Sequence, residues 1–273
     1  MPAPTFTERD PNSSYMMPAH FGPRPVSPRS SGWYRDVTAI TVSYLTDKET
    51  LARYLPAHFE VAQEAVISVT YARNRDVDWL AGHGYNLIAV KAAVVHRGQE
   101  TLHGTYTLVI WENLADPILT GRELQGIPKV FADIPDHTET DGRWHTDASH
   151  FGHKIVDIEA AALRAPTDAE IAAYAQGTPE PQHPMTWRFF PGMNGIGEDI
   201  RQYCTVPSED HIEDVLVGEG RVNWQHLSWE QNPTQCHIVN ALADLPILSY
   251  LPALVTRGST NLILPERLPR VIR

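Results

Sequence analysis

The chain contains little cysteine, and it has no long apolar run. Only two cysteines, Cys204 and Cys236, occur in 273 residues. They are too few for a disulfide framework, and their spacing is not that of a metal site. Two reduced thiols, together with an N-terminus that lacks a basic and an apolar leader region, are typical of a cytoplasmic protein. No apolar run approaches the length of about eighteen residues that indicates a membrane-spanning helix.

Positive charge is also scarce, because the formal net charge is -11 at pH 7. Non-specific binding to nucleic acid or to anionic lipid needs a positive surface. We therefore predict neither a nucleic-acid partner nor a membrane partner. The apolar fraction of 42% in 273 residues is enough for a substantial hydrophobic core.

Apolar residues alternate with period two along most of the chain, which predicts β-strands. The predicted strands are 37–45, 65–73, 86–98, 103–112 and 143–163, with further candidates at 185–193, 200–207 and 211–225. Short helices are predicted at 46–56, with Thr46 as the N-cap, and at 167–177. Proline, serine and glycine dominate residues 1–35, which predicts an extended arm that packs on the body or on a neighbouring subunit. Residues 36–273 are predicted to form one α+β domain, mostly antiparallel β with a few short helices.

The sequence lacks most of the short motifs that indicate catalysis. The sequence has no dinucleotide-binding glycine motif after a strand, no phosphate-binding loop, no zinc-protease motif and no serine nucleophile elbow. His145, His150 and His153 lie close together, but their spacing is not a recognised ligand pattern. We therefore predict no metal and no cofactor.

One lysine stands out in the segment GRELQGIPKVFADI, residues 121–134. The chain has four lysines against eighteen arginines, and Lys129 is flanked by apolar residues on both sides. An amine in an apolar pocket loses solvation of its ammonium form, which favours the free amine. A free amine attacks ketones to give a Schiff base. The alternative is a surface lysine whose stem lies on apolar neighbours.

The motif GREL-x-G-x-PK at residues 121–129 resembles the signature around the Schiff-base lysine of the acetoacetate decarboxylase superfamily. Weaker similarity continues in the same order along nearly the whole chain, through FGP at 21–23, PDHT at 135–138 and DLPIL at 244–248. The resemblance implies a single domain built around an antiparallel β cone or barrel, with Lys129 in a closed pocket. It also implies a homo-oligomer, a dimer or a tetramer.

The chain departs from the decarboxylase pattern at three places. True acetoacetate decarboxylases have a second lysine after the first, and here that position is Val130. Asn86 matches a family glutamate, and Val37, two residues from Arg35, matches a family arginine that holds the substrate carboxylate. Such a pocket is less suited to expelling CO2 and better suited to a 2-oxo acid that keeps its carboxylate. Members of the superfamily with a single lysine condense pyruvate with aldehydes and dehydrate the adduct.

The resemblance assigns roles to several side chains. Lys129 is the predicted nucleophile, and Gln125 is the predicted polar partner of the substrate carboxylate or hydroxyl. Tyr85 and Tyr250 are candidate acid/base or orienting hydroxyls, the alternative being core tyrosines with satisfied hydroxyls. The remaining predicted substrate-binding residues are Asn86, Arg122 and Glu123. Arg122 and Glu123 are predicted to form a charge pair that either supports the site or is purely structural.

The function predicted from the sequence is a Schiff-base lyase acting on a small 2-oxo acid such as pyruvate. Its reaction is aldol condensation or cleavage, coupled to dehydration or hydration, with an aldehyde as the second partner. The first alternative is a decarboxylase of a 3-oxo acid. The second is a non-catalytic binding protein, in which Lys129 pairs with a ligand carboxylate.

Overall fold

The computed structural model describes residues 13–25, 27, 30–177, 182–262 and 268–273, and these residues form a single curled sheet with a few short helices. The strands are β1 (Trp33–Leu45), β2 (Phe59–Val61), β3 (Val66–Val77), β4 (Tyr85–Arg97), β5 (Thr101–Glu112), β6 (Lys129–Phe131), β7 (Thr138–Thr140), β8 (Arg143–His150), β9 (His153–Arg164), β10 (His183–Pro191), β11 (Glu198–Thr205), β12 (Glu209–Trp224), β13 (Ser249–Tyr250), β14 (Ala253–Asn261) and β15 (Arg270–Ile272). The helices are α1 (Lys48–Ala52), α2 (Ala115–Thr120), α3 (Asp168–Gly177) and α4 (Cys236–Ala243). None of these helices is long and apolar enough to span a bilayer. The predicted α+β class is confirmed.

The sheet has to curl because of one short connection. Its main strand order is β15-β11-β10-β5-β4-β3-β1-β14-β12-β9-β8-β7, so six strands separate β11 from β12. In a flat sheet these two strands would lie about 34 Å apart. The three residues that join them, 206–208, reach only about 14 Å. The sheet therefore bends until β11 and β12 approach each other, which produces the predicted cone.

The two faces of the sheet differ in chemistry. One face carries large buried apolar side chains such as Tyr71, Ile88 and Trp111, and these belong to the main core. The opposite face, here called the polar face, carries smaller and more polar side chains. Its members on the four central strands are Thr41, Ser43, Ser68, Thr70, Leu87, Ala89, Lys91, Thr107, Ile110 and Glu112.

Helix α1 begins one residue later than predicted. Its N-cap is Asp47, whose carboxylate accepts a hydrogen bond from the Thr50 N–H at 2.8 Å. Thr46 is buried, and its own N–H donates to the carbonyl of Ala65 at 2.9 Å. The prediction of Thr46 as the cap is wrong because the aspartate beside it competes better for the exposed N–H groups of the first turn.

The predicted arm is shorter in the structure, since β1 already begins at Trp33. Residues 1–12, 26, 28 and 29 lie outside the described residues. The described part reaches the body through Arg24, whose Nη1 lies 3.0 Å from the sulfur of Met16 and 3.4 Å from the hydroxyl of Thr120 in α2. Phe21 remains 79% exposed within this chain.

A buried glutamine joins the start of α4 to the sheet. The Trp111 indole N–H donates to Gln235 Oε1 at 2.7 Å, and Gln235 Nε2 donates to the Phe131 carbonyl at 2.8 Å. Helix α4 and this link were not predicted, because the apolar run at 241–258 hides the boundary between a helix and two strands.

We expect Gln235→Leu to lower the free energy of unfolding by about 2–4 kcal/mol, because it leaves two buried polar groups without partners. Urea denaturation of the purified chain measures this change. Thr234→Ala, at the exposed neighbouring position, is the matched control and should shift stability by less than about 0.5 kcal/mol. Equal midpoints for Gln235→Leu and the control would contradict the expected role of the link.

Candidate active site

The segment around Lys129 is shaped by a change of backbone conformation. Helix α2 runs directly into a π-helical turn, Gly121–Gln125, which ends at Gly126 with φ +68°. A Cβ at Gly126 would also lie 2.2 Å from the Cβ of Arg188. Only glycine fits this left-handed and crowded position without strain. The chain then enters β6, which pairs parallel to β5 with Lys129 beside Ile110.

Lys129 is buried, with 8% of its surface exposed. Its Nζ donates to the Pro117 carbonyl of α2 at 3.1 Å and lies 2.8 Å from Oε1 of Glu112. Glu112, at the end of β5, is fully buried. The stem of the lysine crosses Gly121 so closely that a Cβ there would lie 2.6 Å from Lys129 Cε. The fold thus fixes the amine between a helix carbonyl and a buried carboxylate.

Glu112 has an unusual electrostatic environment. Burial raises its pKa, while the adjacent Lys129 acts in the opposite direction. Within the described residues, neither carboxylate oxygen has a hydrogen-bond donor other than this amine. A carboxyl group buried with so little additional support is shifted towards its neutral, protonated form. Glu112 is therefore suited to exchange a proton with a group held beside the Lys129 amine.

Two tyrosines lie on the same side of the sheet as Glu112. The Tyr85 hydroxyl donates to the Tyr34 hydroxyl at 3.2 Å, which also accepts from the Trp79 indole N–H at 3.1 Å. Burial raises the pKa of both tyrosines, and the charge of Glu112 adds to the effect. These phenols therefore remain protonated hydrogen-bond donors. Tyr34 and Trp79 were not among the residues that the sequence singled out.

Asn86 belongs to a different cluster. Its Nδ2 donates to Asp136 at 2.8 Å and to the Ile134 carbonyl at 3.1 Å, while its Oδ1 accepts from Arg75 at 3.0 Å. Its register partner on β3 is Arg73, so its side chain leaves the sheet on the face opposite Glu112. The structure therefore does not bring Asn86 to the Lys129 amine.

Tyr250 also lies away from Lys129. Its hydroxyl donates to the Val222 carbonyl at 3.1 Å and accepts from the Val222 N–H at 3.2 Å. Its ring packs edge-on against Tyr44, its partner on β1, with ring centroids 6.2 Å apart. The two prolines of its segment place it on a short edge strand. Its hydroxyl is satisfied by the backbone, but the residue is 40% exposed and is therefore not the core tyrosine that the alternative described.

Arg122 and Glu123 brace the segment without pairing with each other. Arg122 Nη1 donates to the carbonyl of Lys129 itself at 2.9 Å, and the Glu123 carbonyl accepts from Arg188 Nη2 at 2.9 Å. No ion pair joins the two side chains in the described part of the chain. The predicted charge pair is wrong, because the Arg122 side chain binds the Lys129 carbonyl and not the Glu123 carboxylate.

Two residues considered for a substrate carboxylate have different surroundings. The half-buried Gln125 lies in the π-helical turn, where its carbonyl accepts from the Thr186 hydroxyl at 3.2 Å. Arg35 pairs with Asp78 through two contacts of 2.8 and 2.7 Å and is 52% exposed at its side chain. Gln125 thus stays near the motif, whereas Arg35 is held at the surface.

Glu112 is the residue that the sequence analysis missed. Its only signal is an acid at the end of the apolar strand HGTYTLVIWE. An isolated charge at such a position is unexplained until a buried cation is placed beside it. The parallel pairing of β5 with β6, which brings Lys129 next to it, is not visible in the sequence.

Comparison with known proteins identifies the family of the chain. The family described as Acetoacetate decarboxylase (ADC) matches residues 16–261. The chain is 25% identical over 239 residues to Decarboxylase DEC1 of Cochliobolus heterostrophus, which covers 84% of this chain and 85% of that protein. It is 25% identical over 245 residues to Acetoacetate decarboxylase 2 of Mesorhizobium japonicum, with 89% and 84% covered.

Solved structures share the fold. An acetoacetate decarboxylase from Legionella pneumophila superposes with a TM-score of 0.71 at 17% identity and covers 92% of both chains. The enduracididine biosynthesis enzyme MppR, complexed with pyruvate, superposes with a TM-score of 0.63 at 15% identity and covers 93% of this chain and 94% of its own. Because the family match spans most of the sequence, this protein belongs to the acetoacetate decarboxylase family.

Proposed function

We propose that this protein is a lyase in which Lys129 forms a Schiff base with a small 2-oxo acid such as pyruvate. The observation that carries the proposal is the buried Lys129 amine, 2.8 Å from the fully buried Glu112 carboxylate. Families of this kind include lyases and decarboxylases. The pyruvate-bound MppR structure supports a 2-oxo acid as the substrate class.

The first half of the reaction uses the amine and the acid in turn. Neutral Lys129 attacks the ketone carbon, and the hydroxyl group that forms leaves as water with a proton from the Glu112 acid or from solvent, which gives an iminium. The carbon next to the iminium carbon lies two bonds from Nζ, which places its protons within reach of Glu112. The Glu112 carboxylate removes one of these protons and becomes the neutral acid, while the electron pair moves to nitrogen and gives an enamine.

The second half forms the new carbon–carbon bond. The enamine carbon attacks an aldehyde, and the resulting alkoxide takes the proton from Glu112. A second proton then leaves the same carbon as the hydroxyl departs as water, which gives an unsaturated iminium. Addition of water to this iminium releases the product and restores Lys129. Gln125 is the proposed polar contact of the substrate carboxylate.

A 3-oxo acid decarboxylase is the second candidate. The named relatives are decarboxylases, and Glu112 is a charged group that faces the lysine. In that reaction the bond to the carboxylate breaks, its electrons move to the iminium, and Glu112 protonates the enamine that remains. Val130 replaces the second lysine of true decarboxylases, which favours the 2-oxo acid reaction. In the non-catalytic alternative, Lys129 only pairs with a ligand carboxylate.

We expect reductive trapping with cyanoborohydride to place a carboxyethyl group on Lys129 when pyruvate is supplied. Intact mass and peptide mapping locate the adduct. Lys129→Ala should give no adduct, while Lys48→Ala, which removes an exposed lysine of α1, should react like the wild type. An isopropyl adduct from acetoacetate with release of CO2 would instead establish the decarboxylase. No adduct with either ketone would refute the Schiff-base proposal.

Replacement of Glu112 tests its proposed role as the base independently of the role of Lys129 as the nucleophile. We expect Glu112→Gln to retain the pyruvate adduct but to slow exchange of the pyruvate methyl protons with heavy water by about 10²–10⁴-fold, the usual contribution of a general base. Proton NMR follows the exchange. Glu60→Gln, an exposed exchange of the same type, is the control. Wild-type exchange in Glu112→Gln would show that another group removes the proton.

We expect Gly121 to be required only for the position of the Lys129 side chain, which crosses it. An alanine Cβ would lie 2.6 Å from Lys129 Cε and 2.7 Å from Cδ, so the flexible stem would have to move. A displacement of about 1 Å typically costs about 10²-fold in rate. We therefore expect Gly121→Ala to slow adduct formation by that factor while its urea midpoint stays close to that of Leu119→Ala. An unchanged rate would argue against tight positioning of the amine.

A further inference from the structure

A second lysine, Lys91, projects from the same sheet face as the catalytic pair. Its register partners are Ser68 on β3 and Thr107 on β5. Two residues before it on β4, Ala89 pairs with Ile110, which in turn pairs with Lys129. Because side chains alternate along a strand, Lys91, Ala89 and Leu87 share one face, and Leu87 pairs with Glu112.

The curl of the sheet brings a distant strand towards Lys91. The short connection from β11 to β12 leads directly to Asp210 near the start of β12. Asp210 lies four strands away from Lys91 along the sheet order, yet its charge acts on Lys91.

Lys91 is half-buried and forms no hydrogen bond or ion pair with any residue in the described ranges. Burial lowers its pKa, with Asp210 acting weakly in the opposite direction. A cation that is desolvated yet still reached by solvent, with no partner of its own, is poised to receive an anion. The other two lysines outside the motif are exposed.

The surroundings of Lys91 suit a polar ligand. Two pairs of hydroxyls line the polar face beside it, Ser43 with Ser68 at 2.9 Å and Thr41 with Thr70 at 3.0 Å. Each hydroxyl can both donate and accept. All four residues are half-buried. These hydroxyls lie on the β3 side of Lys91, whereas Ala89, Thr107 and Ile110 lie between Lys91 and Lys129.

We propose that Lys91 binds a carboxylate remote from the reacting ketone, so that the substrate, or the product joined to it, is a dicarboxylate. The inference rests on the proposed function, since it places the ketone at Lys129. Two strand spacings and two residues along β4 separate the two lysines, which puts their Cα atoms roughly 12 Å apart. Both side chains are long and leave the same face of the sheet, so a ligand of several carbons can bridge their amines.

The test compares two acids that differ only in the remote group, 2-oxoadipate and 2-oxohexanoate. Titration calorimetry is run on the full-length wild type, Lys91→Gln, Lys91→Arg and the exposed control Lys48→Gln. We expect the wild type and Lys48→Gln to bind 2-oxoadipate more tightly than 2-oxohexanoate. Lys91→Gln should weaken 2-oxoadipate binding about tenfold or more, leave 2-oxohexanoate unchanged, and be rescued by Lys91→Arg.

Three results would overturn the inference. They are equal affinity of the wild type for the two acids, an unchanged dissociation constant in Lys91→Gln, and equal weakening of both acids in that variant. Failure of the proposed function has a different signature, because it removes the pyruvate adduct at Lys129 without affecting the preference for the dicarboxylate.

Discussion

The buried ion pair between Lys129 and Glu112 is the interaction on which the rest of the site depends. Two opposite charges in a water-poor interior attract strongly, but each has also lost its hydration. Among the residues that the structure describes, the Pro117 carbonyl is the one additional partner of the pair, so the pair is held by geometry more than by a full hydrogen-bond network. Burial also raises the pKa of Glu112, which suits this carboxyl group to the proton transfers proposed for it.

Several unusual features of the chain serve this pair. The π-helical turn and the left-handed Gly126 bring the chain back along α2, so that β6 can add parallel to β5. Gly121 lets the lysine stem pass close to the helix backbone. Arg122 then fixes the lysine from the other end by binding its carbonyl. The motif GREL-x-G-x-PK therefore supplies backbone geometry and contacts that position the Lys129 amine.

Much of the fold was predictable because antiparallel strands with period-two patterns carry a strong local signal. The predicted strands 37–45 and 103–112 lie inside observed strands, and 86–98 overlaps β4 in all but its last residue. The site was less predictable, because it depends on pairing between segments distant in sequence. Lys129 was identified from its apolar neighbours, whereas Glu112 became visible only when β6 was placed beside β5. Tyr250 fitted the sequence pattern, but its hydroxyl is satisfied by the backbone of Val222.

The most direct test of the account is whether Lys129 forms an imine in solution without any trapping reagent. Imine formation and hydrolysis replace the ketone oxygen, so pyruvate carrying a heavy-oxygen label at its ketone should lose the label to water. We predict that the wild-type chain accelerates this loss and that Lys129→Ala does not. Loss of the label at the uncatalysed rate with the wild-type protein would contradict the central claim that this amine is a nucleophile.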